Sequence, residues 1–292
     1  MSEEVFRQDL DENQAERPGG PFVIELLFRE PVDMPPRERM SAVMEKHVGK
    51  TKCFCHDGKT AGFAALDYVA EFRDQSVPVQ LMVTECTAFD GEEIDDFLRS
   101  QMWDCLEERD NILGNCRYRV FATDMLARAL PAVQRATLDM DFLEALSELY
   151  PDCAAFYFPS SGKLFTAESV RQHETEGTNR FIYFGVNVRF FNVQDSEDMV
   201  VDTLGMSTLF LPDLQYHFHG MNPNWVVNHA YNVAAYLLGS GNVIADGETV
   251  DGVVDGEMSS ELHWSCRYED ALIQPPREVL DINMGEYASG TR

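Results

Sequence analysis

The chain has 292 residues, with 50 Asp and Glu against 23 Lys and Arg, which gives a formal net charge of -27 at pH 7. This charge repels nucleic acid and anionic lipid and favours basic partners, while 45% hydrophobic and 11% aromatic residues exclude a disordered acidic tail. No run of about 18 apolar residues is present, and the acidic start lacks the features of a secretory signal, so we expect neither a membrane span nor secretion. The expected location is the cytoplasm, where the seven irregularly spaced cysteines would be reduced thiols.

The predicted elements begin after a flexible acidic arm at residues 1–20, which closes with Pro18-Gly19-Gly20-Pro21. A nearly all-apolar strand at 22–28 fits a central position in a sheet. The elements expected after it are a helix at 35–48, strands at 61–72 and 77–87, a helix at 90–108 and a strand at 116–123. Strand, helix, strand, strand, helix, strand is the split βαβ order of a ferredoxin-like sandwich.

A similar order recurs in the second half of the chain. The elements expected there are helices at 131–150, 166–172 and 222–238 and strands at 153–158, 181–191, 199–210, 242–245, 248–254 and 262–268. Asn222 followed by Pro223 is a typical helix start. We therefore predict an α+β fold of two successive ferredoxin-like (split βαβ) modules, residues 21–130 and 131–292. Whether the two modules pack as one pseudo-duplicated unit is left open.

Motifs for nucleotide binding and nucleophilic catalysis are missing from the sequence. The Gly162-Lys163 pair after a strand lacks the first glycine of a phosphate loop, and no G-x-S-x-G segment is present. The acidic turns at 246–257 do not match a calcium loop. We therefore expect no cofactor and no catalytic residues.

A histidine pair carries the alternative prediction, a metal site for zinc or non-haem iron. In an extended segment His217 and His219 project to the same side, His229 follows in the next helix, and Asp213 adds a carboxylate. No signature such as H-E-x-x-H fixes that geometry, so a polar loop remains the competing interpretation.

Two groups of carboxylates are the predicted surface for a basic partner, with aromatic anchors beside them. The predicted contact residues are Asp90, Glu92, Glu93, Asp95, Asp96, Asp195, Glu197, Asp198, Tyr216 and Trp225.

Four short segments in the C-terminal half carry a family resemblance. They are Thr203-Leu204-Gly205-Met206, Leu211-Pro212-Asp213-Leu214-Gln215, Tyr236-Leu237-Leu238 and Asp246-Gly247-Glu248-Thr249. Over roughly residues 200–255 the chain resembles the bacterial domain-of-unknown-function family 4261. The resemblance implies a bacterial, non-secreted protein of accessory type.

These observations together predict a non-catalytic, cytoplasmic protein-binding protein. In its most specific form this is an immunity or antitoxin-like protein that neutralises a basic toxin or effector through an acidic surface. The alternative is a metal-dependent enzyme or metal-binding protein that uses His217, His219 and His229.

Overall fold

The computed structural model describes residues 20–73 and 75–290. All of the predicted arm except Gly20 therefore lies outside the described residues. The described chain divides into two compact units, an N-terminal unit of residues 20–185 and a C-terminal unit of residues 186–290. Both units combine helices with a sheet, which confirms the α+β class. Within the described residues, every helix is too short or too polar to cross a membrane.

The N-terminal unit is built on one eight-stranded sheet. Its strands are β1 Val23–Phe28, β2 Thr51–His56, β3 Thr60–Glu71, β4 Ser76–Thr84, β5 Thr87–Ala88, β6 Tyr118–Met125, β7 Ala155–Phe158 and β8 Lys163–Thr166. Its helices are α1 Arg37–Val48, α2 Asp96–Ser100, α3 Arg109–Asn115, α4 Ala132–Leu149, α5 Ala167–Gln172 and α6 Asn179–Gly185. The strand order is β2-β3-β4-β6-β1-β7-β8, with β5 also paired to β6, and every pairing is antiparallel.

The ferredoxin-like arrangement is not confirmed in this unit. The predicted split βαβ used α1, but α1 joins β1 to β2, and β3, β4 and β6 all lie between those two strands. The connection that does form a split unit is β6-α4-β7, because both strands flank β1 and run antiparallel to it. As the apolar sequence of β1 predicts, that strand is central and almost completely buried.

The crossover through α4 also explains why the division between units differs from the predicted boundary at residue 130. Helix α4 packs against α1, and β7 and β8 extend the same sheet. Residues 131–185 therefore complete the core of the N-terminal unit.

The predicted helix at 90–108 is shorter and interrupted in the structure. The side chain of Asp95 accepts a hydrogen bond from the Leu98 backbone N–H, so helix α2 begins only at Asp96. A short 3₁₀ turn at Trp103–Cys105 and α3 follow. Strands β2 and β8 were not predicted.

A buried pair of carboxyl groups lies in this unit, one on β6 and one on α4. Asp124 forms a two-pronged ion pair with Arg135, with N–O distances of 2.7 and 3.0 Å. Asp139 is fully buried, with a carboxylate oxygen 3.9 Å from the Arg135 Nε. Burial, and then the nearby Asp124 carboxylate, hold the pKa of Asp139 well above its ordinary value.

We expect Asp139→Asn to change how stability depends on pH. In the unfolded chain Asp139 ionises near pH 4, whereas in the folded chain its raised pKa lets it keep its proton to a higher pH. The folded state then binds more protons, so this residue makes stability fall as pH rises from about 4 toward its raised pKa. Denaturant unfolding is measured between pH 4.5 and 8. We expect the free energy of unfolding of the variant, relative to that of the wild type, to increase as pH rises. A difference in the free energy of unfolding that stays constant over this pH range would contradict this account.

The C-terminal unit consists of a six-stranded sheet and one long helix. Its strands are β9 Asn187–Asn192, β10 Met199–Leu204, β11 Asp213–Phe218, β12 Thr249–Val254, β13 Glu257–Asp270 and β14 Glu278–Asn283, and its helix is α7 Pro223–Ser240. The strand order is β12-β13-β14-β11-β10-β9, in which only the β11–β14 pairing is parallel. Helix α7 packs on one face of this sheet against β9, β10, β11 and β12.

The start of α7 is as predicted, because the Asn222 side chain accepts a hydrogen bond from the Asn224 backbone N–H and Pro223 is the first helical residue. The prediction of a strand at 242–245 is wrong, because those residues form no strand. The hairpin turn is Asp255-Gly256, between β12 and β13, with positive φ of 52° and 87° at its two residues. Predicted strand 181–191 is split into α6 and β9, and strand β14 was not predicted.

Candidate functional site

The predicted acidic group of the N-terminal unit is exposed and only partly committed to local contacts. Asp90 accepts a hydrogen bond from the Glu92 backbone N–H, and Asp95 caps α2. Glu93 forms an ion pair with Arg119 at 3.1 Å. Glu92 and Asp96 are exposed to solvent.

The predicted acidic group of the C-terminal unit follows β9. Asp195 and Glu197 are exposed, whereas Asp198 accepts a hydrogen bond of 2.8 Å from the Ser289 hydroxyl. That bond, together with the positive charge that nearby histidines can carry, lowers the pKa of Asp198. Asp198 therefore takes part in the internal packing of the unit as well as in its surface charge.

The two predicted aromatic anchors are not equally accessible. Tyr216 is completely buried, because strand alternation directs it toward α7. The prediction that Tyr216 contacts a partner is therefore wrong. Trp225 is half-buried over the turn at Gly256, where a Cβ atom would lie only 2.8 Å from the indole Nε1.

The structure separates the histidines of the predicted metal site. His229 lies on α7, where its Nδ1 is 2.8 Å from the Tyr216 hydroxyl and its Nε2 is 2.7 Å from the Asp251 carbonyl oxygen. A carbonyl only accepts, so Nε2 carries the proton and Nδ1 accepts from the tyrosine. Burial lowers the pKa of His229, which keeps the ring neutral.

His217 and His219 lie on the other side of β11 from Tyr216, as strand alternation requires. His219 Nδ1 is 3.0 Å from the Ser289 hydroxyl, and His217 Nε2 is 3.7 Å from Asp198. Asp213 is engaged elsewhere by Arg277. Among the residues that the structure describes, no group of three or more His, Cys, Asp or Glu side chains is arranged to hold a metal ion.

An ionic network, buried except at Arg267, crosses the face of the sheet opposite α7. Register places Arg189, Asp202, Gln215, Asp281 and Arg267 side by side on five neighbouring strands. Arg189 donates to both Asp202 oxygens at 2.8 and 2.5 Å, and Gln215 donates to Asp281 at 3.2 Å. This row was not predicted, because register across strands is not visible in a single sequence.

Arg277 joins two carboxylates of this network. It donates to Asp202 at 2.7 Å and to Asp213 at 3.2 Å. Burial raises the pKa of Asp213, although Arg277 opposes that shift. The segment before β14 covers this region, since the Leu272 N–H donates to Gln215 and the Gln274 carbonyl accepts from Arg189.

The recognised segments of the sequence build this network. The Asp213 carboxylate accepts hydrogen bonds from the Thr203 hydroxyl and the Met206 N–H, both at 3.1 Å. The Thr203 hydroxyl also accepts from the Leu214 N–H at 2.8 Å. The resemblance therefore rests partly on residues whose contacts hold β10 and β11 together.

A titratable cluster in the N-terminal unit was also missed. His47 Nε2 lies 2.7 Å from Glu148, and its Nδ1 lies 3.6 Å from Glu144. Lys46 and Arg180 neutralise the same two carboxylates. The i, i+4 spacing of Glu144 and Glu148 on one helix face was the available signal.

An open groove of about 790 Å³ lies between the second half of α7 and β12. Its lining residues are Asn232, Val233, Tyr236, Val243, Ile244, Gly247, Glu248, Thr249, Val250, Asp251 and Met258. Tyr236, Val243 and Met258 are 53%, 49% and 44% exposed, which is unusual for large apolar side chains that line one concavity. We call this concavity the α7–β12 groove. Sequence analysis identified the Asp246-Gly247-Glu248-Thr249 segment beside it but not the groove.

Comparison with known proteins places the groove and, apart from Arg189, the network within one region that matches a known family. Residues 202–283 match the model of a family described as a domain of unknown function (DUF4261). This match confirms the resemblance and extends it from the predicted 200–255 through β14. No curated protein and no solved structure matches the chain.

Proposed function

We propose that this chain is a non-catalytic binding protein for a basic protein partner. The observation that carries the proposal is the α7–β12 groove, in which exposed apolar side chains stand beside carboxylates. An apolar centre with a charged rim is the usual composition of a protein interface.

The charge around the groove has one sign. Residues 241–262 contain no Lys or Arg. Their carboxylates are Asp246, Glu248, Asp251, Asp255, Glu257 and Glu261. Helix α7 adds no charged residue apart from a titratable histidine. With a net charge of -27 behind it, such a surface accelerates encounter with basic partners and rejects acidic ones.

The more specific form of the proposal is an immunity or antitoxin-like role in the cytoplasm. A toxin or effector that acts on nucleic acid needs a basic face, and an acidic protein inhibits it by covering that face. The acids at 90–96 and at 195–198 supply further surface for steering. No cofactor enters this proposal.

The alternative, a metal-dependent protein, has less support from the described residues. The sheet separates His229 from His217 and His219, and both ring nitrogens of His229 are already in hydrogen bonds. Metal analysis of the purified protein tests this alternative directly. One zinc or iron per chain that is absent from His217→Ala/His219→Ala would support a metal site.

The binding proposal is tested by capture on the immobilised chain from the source cell at low salt, followed by a salt step and mass spectrometry. We expect a basic protein in the salt eluate. The purified pair should associate about ten times more slowly or worse at 0.5 M salt than at 0.05 M, because added salt screens exposed charges. A rate that does not change with salt would contradict electrostatic steering.

Two matched charge variants identify the acidic surface that steers the partner. Glu257→Gln/Glu261→Gln and Glu92→Gln/Asp96→Asn each remove two exposed carboxylates. We expect the first pair to slow association several-fold and the second to have a smaller effect. If the second pair slows association more than the first, the contact surface lies on the N-terminal unit.

The neutralisation role is tested by expressing the captured protein alone and together with the chain. We expect growth arrest in the first case and growth in the second. Normal growth in both cases would contradict the toxin interpretation, although it would not contradict binding of a basic partner.

A further inference from the structure

We propose that β12 accepts an extended basic segment of the partner as an additional strand, with alternate side chains of that segment in the α7–β12 groove. This inference rests on the proposed function and specifies how the partner is recognised.

The free edge of β12 is the first observation. Strand β12 ends the sheet, and β13 is its only strand partner among the described residues. The Asp251 carbonyl accepts from His229 on α7, so the backbone of Asp251 faces away from β13. Backbone direction alternates along a strand, and Thr249 therefore presents its N–H and C=O to the same edge, at which the Asp251 carbonyl already accepts from His229. An extended chain pairs with groups of this kind in strand addition.

The position of the groove is the second observation. Asn232 and Tyr236 lie one turn apart on α7 and form one wall, and Thr249, Val250 and Asp251 form the opposite one. A strand placed along β12 directs every second side chain to the sheet face that α7 covers. The apolar part of such a side chain would contact Tyr236, Val243 and Met258, which are now exposed.

Charge determines which strand fits. The lining of the groove and residues 241–262 contain carboxylates and no Lys or Arg, so a segment that alternates Lys or Arg with other residues is favoured. Aliphatic stems of Lys and Arg can cover the apolar wall while their charged ends reach Glu248 or Asp251.

Charge also disfavours two other occupants. A second copy of the chain paired edge to edge would bring Asp251 residues and their neighbouring acids together, and like charges across a strand pair destabilise it. The first 19 residues of the chain carry six carboxylates against two arginines, so they have the wrong charge for this groove.

The edge is short, which limits the size of the added strand. The register of β12 and β13 shifts between Asp251 and Gly252. Such an irregularity bends an edge and limits non-specific pairing. The regular part before it suits a segment of a few residues whose side chains supply the specificity.

A pair of lysine substitutions tests the groove. Val243→Lys and Met258→Lys place positive charge among exposed side chains, and Leu106→Lys makes the same change at an exposed residue of the N-terminal unit. Because all three residues are exposed, we expect folded proteins with unchanged circular dichroism and unfolding midpoints. Each groove variant should bind the captured partner about tenfold more weakly or worse, and the control should bind like the wild type.

Peptides test the strand geometry independently of the natural partner. A displayed library of random twelve-residue peptides is selected on the wild-type chain and counter-selected on Met258→Lys. We expect enriched peptides in which Lys or Arg alternates with other residues. A bound peptide should slow hydrogen exchange at the Thr249 and Asp251 amides. N-methylation of the peptide backbone should weaken binding at every second residue, where the N–H faces β12, and not at the residues between.

The outcomes separate this inference from the proposed function. If the partner binds both groove variants like the wild type, or if selected peptides leave exchange in β12 unchanged, strand addition is wrong while a basic partner can still be correct. A doubled molecular mass that Met258→Lys abolishes would show dimerisation through β12. It would contradict the proposal that a basic partner segment occupies this edge. Failure to enrich any peptide on the wild-type chain would likewise overturn it.

Discussion

Replacement of Asp202 by Ala is expected to lower the free energy of unfolding by about 3–5 kcal/mol, the usual cost of removing one partner from a buried ion pair. Asp202 is fully buried and accepts hydrogen bonds from both Arg189 and Arg277. Removal of its carboxylate leaves Arg189, which is itself 1% exposed, without the carboxylate to which it donates two hydrogen bonds.

Urea unfolding followed by circular dichroism measures this effect. The exposed Glu257→Ala is the control within the same unit, and we expect it to change stability by less than about 0.5 kcal/mol. Asp202→Asn, which keeps the size but not the charge, should also be strongly destabilised. A loss for Asp202→Ala no greater than that of the control would show that the network contributes little to folding.

Replacement of His229 by Phe is expected to cost about 2–4 kcal/mol at neutral pH, because the buried Tyr216 hydroxyl and the part-buried Asp251 carbonyl both lose their partner. The Tyr216 hydroxyl loses its acceptor and the Asp251 carbonyl loses its donor. The new ring also replaces the imidazole that packs against Trp264 at a ring distance of 4.8 Å. The additional change Tyr216→Phe removes the orphaned hydroxyl, so the double variant should be more stable than the sum of the single losses predicts.

The same substitution has a defined pH dependence. Burial lowers the folded-state pKa of His229 below its ordinary value of 6.5. Below that pH the unfolded state binds a proton that the folded state does not, so the wild type loses stability as pH falls. The Phe variant lacks this effect, so the difference in free energy of unfolding between the two proteins should become smaller from pH 7.5 to pH 5. A difference that widens on acidification would mean that His229 is charged in the folded protein.

Local signals in the sequence predicted most individual elements but not their neighbours. Pro36 and Pro131 precede α1 and α4, and Asn222-Pro223 starts α7, because these residues act on the adjacent turn of chain. The break of the predicted helix at 90–108 was missed, because Asp90 and Asp95 both resemble helix caps and only Asp95 acts as the cap of α2.

The candidate sites show the same limit. Sequence alternation correctly placed His217 and His219 on one side of an extended segment, yet it could not show that α7 covers the other side, where His229 meets Tyr216. The groove was missed for a similar reason, since Tyr236 belongs to an apolar helix and its exposure depends on where β12 ends the sheet.

The sequence by itself determined the α+β class, the acidity, the position of the main helices and the resemblance that residues 202–283 confirm. These properties depend on composition or on residues a few positions apart. Strand order, the row from Arg189 to Arg267 and the groove beside β12 were decided only in the tertiary structure. They require distant residues to meet, such as Glu25 and Tyr157, which lie about 130 positions apart. The free energy that selects these contacts comes from burial and pairing across the whole unit.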